Sequence, residues 1–131
     1  MKKNILAVLL MTFSVSVFAQ SLNEKVLSKS LSDWQPLAIK DKNNIITVTM
    51  NEDRVTPQIF LSVVENGVCD PTWFDYKKTS FLKKTEEIRI LNRHDYQGLV
   101  LEQPLATCME AGKSKDFNII INSHTHSHTN Y

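Results

Sequence analysis

The chain has 131 residues, with 15 lysines and arginines against 14 aspartates and glutamates and a formal net charge of +1. That balance argues against the clustered positive field on which nucleic-acid and anionic-membrane binding depend, and the length suits one domain.

At the start, Met1-Lys2-Lys3 puts two charges before an apolar run from Ile5 to Phe18, and Val17-Phe18-Ala19 supplies small residues where a signal peptidase reads. The pattern predicts a secretory signal peptide over 1–19, with cleavage before Gln20. The run is shorter than the roughly 20 apolar residues of a permanent span, so no stable membrane insertion is expected. No cysteine follows it to accept a bacterial lipid. Removing 19 of 131 residues leaves 112, and with two lysines gone 13 basic side chains face 14 acidic ones, a net charge of −1. The product is expected to be exported, periplasmic or secreted, and without a nucleic-acid partner.

Ser21-Leu22-Asn23-Glu24 matches a helix-capping box, and Val26, Leu27, Leu31 and Trp34 follow on one helical stripe until Pro36. An amphipathic helix over 22–33 is expected. Asn44 to Asn51, rich in β-branched residues, reads as a strand, and Asn51 to Arg54 as a polar turn. Gln58 to Glu65 reads as a second strand. Asn66-Gly67 then gives the strongest short hairpin signal, with Val68 and Cys69 starting a return strand that Asp70-Pro71 interrupts. Residues 73–84 leave a short helix and an irregular loop equally open. Glu86 to Leu91 and Leu99 to Gln103 read as a hairpin around the wide connection "NRHDYQG". Pro104 to Ala111 reads as a short helix with Pro at its first turn and Gly112 past its end. Asp116 to Asn122, "DFNIIIN", reads as a buried strand, and 123–131 as a polar tail rich in histidine. The fold expected is α+β: an antiparallel sheet of five to six strands with the N-terminal amphipathic helix packed on one face, as a single domain over 20–122. An all-β barrel or sandwich with the helix outside is the alternative.

The two cysteines, Cys69 and Cys108, are expected to form a disulfide, as an even count in an exported chain implies. Neither sits in a C-x-x-C motif or beside a histidine, which argues against a redox or metal-binding thiol pair.

Three groups of residues could carry function. The stretch "DPTWFDYKKTSFLKK" combines Trp73 and Tyr76 with Lys77, Lys78, Lys83 and Lys84, and aromatic area beside positive charge is what protein-binding patches use. With His94, Asp95 and Tyr96 of the following turn it makes a candidate partner-binding surface. His124, His126 and His128 alternate, so on an extended strand neighbouring imidazoles share a face about 6–7 Å apart and could hold zinc, copper or nickel weakly. No catalytic motif is present: there is no G-x-S-x-G, H-E-x-x-H or Gly-rich phosphate loop, and only three glycines exist in all. A hydrolase built on Glu52, Asp53, Asp70 and Asp75 is the remaining catalytic reading. The expectation is therefore a binding protein and not an enzyme, with no resident cofactor. Its first form is a periplasmic inhibitor or immunity protein that occludes a partner, such as a toxin or a cell-wall-acting enzyme. Its second is a metal-binding or metal-delivery protein using the three terminal histidines.

Overall fold

A computed structural model describes residues 20–130. The expected signal peptide, 1–19, and Tyr131 lie outside the described residues. In chain order the elements are α1 (Leu22–Ser30), β1 (Ala38–Lys42), β2 (Ile45–Thr49), α2 (Pro57–Val63), β3 (Glu87–Leu91), β4 (Gln97–Glu102), α3 (Pro104–Lys113), α4 (Phe117–Ser123) and β5 (Thr125–Thr129). The strands form one five-stranded sheet in the order β1-β2-β3-β4-β5. Neighbours are antiparallel except β2 and β3, which run parallel. The class is α+β, but the sheet is mixed and not purely antiparallel.

The parallel pair follows from what joins its strands. A parallel neighbour needs a crossover of a dozen or more residues, and here the chain between Thr49 and Glu87 is helical from Pro57 to Asp75, where two strands and a hairpin were expected. Thr56 caps α2 by accepting from the Ile59 amide at 3.2 Å, and Pro57 occupies the first turn, where its missing N–H costs nothing. The buried residues Phe60, Val63, Val64 and Val68 then fall at i, i+3, i+4 and i+8, a helical stripe. Gln58 to Glu65 is thus helix, and Asn66-Gly67 is no turn, since no glycine among the described residues has positive φ. The hairpin signal that is used lies earlier. Asn43 and Asn44, at φ 54° and 64°, make the two-residue turn between β1 and β2, matching the right-handed twist of the strands.

Beyond α2 the rod continues in wider turns over Val64–Cys69 and Pro71–Asp75. The Asp70 amide donates to the Glu65 carbonyl and the Tyr76 amide to the Pro71 carbonyl, each five residues back. Proline explains the departure: Pro71 has no N–H for the carbonyl of Gly67, and its ring would clash there. The Ser30 hydroxyl donates to that Gly67 carbonyl at 2.6 Å. The approach of α1 that makes this possible depends on glycine, because a Cβ on Gly67 would lie 2.0 Å from Leu31 Cδ2.

At its other end α1 is capped by Ser21, which accepts from the Glu24 amide at 3.1 Å. The reciprocal half of the box is not made. Glu24 instead accepts from the Asp41 amide of β1 at 3.2 Å, and Asn23 reaches both Asp41 and the Leu82 amide. Three further segments differ from expectation. Asp116 accepts from the Ile119 amide at 3.2 Å and starts α4 where a strand was read, and α3 runs through Gly112 to Lys113. The segment read as a polar tail supplies β5, paired to β4.

Ile46 and Val48 of β2, Ile88 and Ile90 of β3 and Leu101 of β4 face one side and join Leu27, Phe60, Val64, Val68, Phe81 and Ile121 in the core. Leu91 and Val100, buried but outside that cluster, alternate with them and lie on the other face beside the Glu87–Arg89 ion pair. Cys69 and Cys108, both fully buried, are joined by a disulfide that ties the helical rod to α3. No described helix is long and apolar enough to cross a membrane.

Two measurements test this framework. Replacing both cysteines by serine should lower unfolding stability in urea by about 3–4 kcal/mol, the chain-entropy value for a loop of 39 residues. Ser30→Ala strands the Gly67 carbonyl and should cost about 1–3 kcal/mol, read from the shift in denaturant midpoint.

Candidate partner-binding surface

The residues that follow Pro71 leave the core as the rod ends. Trp73 is half-buried, and its Nε1 donates to the Cys108 carbonyl at 2.8 Å, so the indole is held one step from the disulfide. Its seat exists because position 112 is glycine: a Cβ there would lie 2.7 Å from Trp73 Nε1. Phe117 of α4 meets the indole edge-on at 5.9 Å between ring centroids, and Phe74 does so at 6.4 Å. Phe74 itself is 76% exposed. A mainly apolar groove of about 400 Å³ results, lined by Trp73, Phe74, Met109 and Phe117 with Lys77 and Lys113 among its borders.

The groove continues past Lys77. A smaller recess of about 200 Å³ is lined by Lys77, Met109, Tyr76, Phe81 and Lys83, so Lys77 stands between the two. Tyr76 is half-buried with its ring tilted against Phe81 at 6.0 Å. Lys78 and Lys84 are exposed, and Lys83 and Lys84 border a third recess with Leu22. Trp73, Tyr76, Lys77 and Lys83 are therefore brought onto one strip. Phe74, Met109, Phe117 and Lys113 belong to it as well; only the apolar character of the first three hinted at it, because helix pairing decides the rest.

His94, Asp95 and Tyr96 do not join this strip. Lys83 and Lys84 precede β3 while the Asn92 to Tyr96 turn follows it, which sets them at opposite ends of a five-residue strand. The turn is nevertheless well built. Buried Asn92 accepts from the amides of Tyr96 and Gln97 and donates to the Asp53 carbonyl, and Arg93 pairs with Asp53. Asp95, at φ 58°, accepts from the Thr49 hydroxyl at 2.6 Å. His94 and Tyr96 are left outside with their rings 5.9 Å apart.

Of the carboxylates considered for catalysis, Asp70 and Asp75 share a polar recess of about 540 Å³ with Lys29, Asn66 and Tyr76. Glu52 and Asp53 lie apart, in the turn after β2. Burial raises the pKa of Asp70 above the ordinary carboxylate range, and the neighbouring charge of Asp75 raises it further.

The three terminal histidines are divided. Nε2 of His124 lies 3.3 Å from Glu110 Oε2 on α3, and Nδ1 of His126 lies 2.9 Å from Glu102 Oε1 on β4. Among the described residues no group of three or more His, Cys, Asp or Glu side chains is placed to hold a metal ion within one chain.

The Asp70 shift carries a pH dependence. A carboxyl whose folded pKa is raised binds protons more readily in the native state, so its contribution is most favourable below the unfolded value of 3.8 and is lost as pH rises through the folded value. Asp70→Asn should thus raise the urea midpoint slightly at pH 7 and lose that advantage at pH 3.

No protein-family model matches the chain, and no curated protein or solved structure matches it either.

Proposed function

We propose that the protein is an exported binding protein, released from its signal peptide before Gln20, that acts as an inhibitor or immunity protein by covering the active cleft of a partner enzyme. The partner in this proposal is a toxin or a cell-wall-acting enzyme, and the protein contributes no catalysis of its own. Fold alone does not carry such an assignment, so it rests on one site feature.

That feature is Phe74. A phenylalanine 76% exposed sacrifices transfer free energy that a core position would provide, yet it stands on a rod fastened by the disulfide and by the Trp73 hydrogen bond. Rigid aromatic anchors beside positive charge are what binding hot spots consist of, because little conformational freedom is lost on docking. Phe74 would enter the cleft of the partner while Lys77, Lys78, Lys83 and Lys84 steer an acidic rim toward it.

The test begins with the partner recovered from the exported fraction on immobilised protein, and with the activity of that partner measured in the presence of the binder. Phe74→Ala should weaken the complex by roughly 30-fold or more, a hot-spot loss of about 2 kcal/mol, with the far-ultraviolet circular dichroism unchanged. Charge reversal at Lys77 and Lys83 should slow association, most at low salt. Undiminished affinity in the Phe74 variant would move the contact elsewhere, and a partner whose activity is untouched would remove the inhibitor reading.

A further inference from the structure

The sheet has two edges, and they are treated differently. Edge strands invite pairing by other chains, and charge on the strand is a common protection. β1 carries Lys40, Asp41 and Lys42 in five residues. β5 is Thr125-His126-Ser127-His128-Thr129, with no carboxylate, lysine, arginine, proline or glycine. Among the described residues no strand pairs with its outer side.

The hydrogen-bond phase of that edge is defined by its inner partner. The Glu102 amide donates to the His124 carbonyl at 2.9 Å and the Asn130 amide to the Tyr96 carbonyl at 2.7 Å. Even-numbered residues of β5 therefore turn their backbone groups to β4, and Thr125, Ser127 and Thr129 turn theirs outward. The five residues are also a palindrome. An antiparallel second copy with its two-fold axis at Ser127 puts Thr opposite Thr and Ser opposite Ser. These are the odd-numbered residues with outward amides and carbonyls, so sequence symmetry and hydrogen-bond phase select the same register.

In that register His126 of one copy faces His128 of the other. They form the non-hydrogen-bonded pair, whose Cα atoms are only about 4.5 Å apart, and the second such pair lies about 6–7 Å along the strands. Four imidazoles would then surround the axis on the sheet face opposite the helices, the face on which His126 pairs with Val100 and His128 with Gly98. One chain alone supplies two, since His124 is turned to Glu110. The Glu102 carboxylate, 2.9 Å from His126 Nδ1, can only accept when ionised. It keeps the proton on Nδ1 and leaves Nε2 free, the arrangement usual behind a metal-bound histidine.

We infer that β5 is the dimer edge of this protein, closed by one divalent transition-metal ion of the zinc class held by His126 and His128 of two copies. The site is incomplete in a single chain, and it shares no side chain with the groove at Phe74.

Zinc titrated into the purified full protein, with calorimetry for stoichiometry and sedimentation velocity for mass, tests this. One zinc per two chains and a doubled mass that chelation reverses are expected. His128→Asn should abolish the zinc-dependent dimer without altering the circular dichroism. Ser127→Pro, which removes an outward amide but no ligand, should do the same, and Glu102→Gln should weaken zinc binding 10- to 100-fold. One zinc per chain with no change of mass, a zinc-dependent dimer that survives His128→Asn, or no zinc bound at micromolar concentration would each overturn the inference.

Discussion

Pro71 sits inside a helix whose inner face is core, and much of the surrounding structure accommodates it. An interior proline withdraws one amide and displaces one carbonyl, a cost of about 3 kcal/mol or more if nothing compensates. Here the rod widens to five-residue turns, and the carbonyl of Gly67 receives the Ser30 hydroxyl of α1 instead of the missing amide. Cys69, two residues before the proline, is fastened covalently to α3. The break is thus held from two sides. Its consequence is directional: the residues after it, Trp73 to Lys77, emerge along α3 and α4 rather than continuing over the sheet.

The same joint explains which parts of the chain could be read in advance. Strands whose alternation is local, β2 and β3, were legible because half of each is core and half is not. The helix that begins at Pro104 and the disulfide were legible for similar reasons: a proline at a first turn and an even cysteine count are local statements. α2 was not, because "QIFLSVVE" satisfies a two-residue and a four-residue period about equally. What decides between them is Thr56-Pro57 before it and the face of β2 and β3 it must cover, a long-range demand. Asn66-Gly67 misled for a related reason. Glycine there answers to the closeness of Leu31 and not to a turn. "DFNIIIN" shows propensity overridden in the other direction, since three isoleucines favour a strand while the Asp116 cap and the short reach to β5 hold them in helix.

The candidate surface was legible in part, and the division is physical. Trp73, Tyr76 and the lysines announce themselves by type, but which neighbour completes the patch depends on helix packing. The turn at His94 to Tyr96 has the composition of a binding loop, yet β3 carries it to the far end of the sheet. The alternating histidines were noticed as a motif, while their meaning rests on a strand pairing that composition does not reveal. What separates His126 and His128 from His124 is the end of α4, where His124 is the C-cap residue and turns to Glu110 before the strand begins.

Both proposed surfaces hang on α4. This seven-residue helix gives Phe117 to the groove at one end, and at the other it delivers the chain to β5, where the Thr125 hydroxyl donates to the Ile121 carbonyl at 2.6 Å. Its only fully buried side chain is Ile121, with Ile119 left largely exposed. A helix so short has little stability of its own and is held by what it touches. Trp73 holds it from the helical layer and β4 holds its continuation from the sheet. The groove and the strand edge are chemically independent, since neither shares a functional side chain with the other, but they are mechanically joined through one small element.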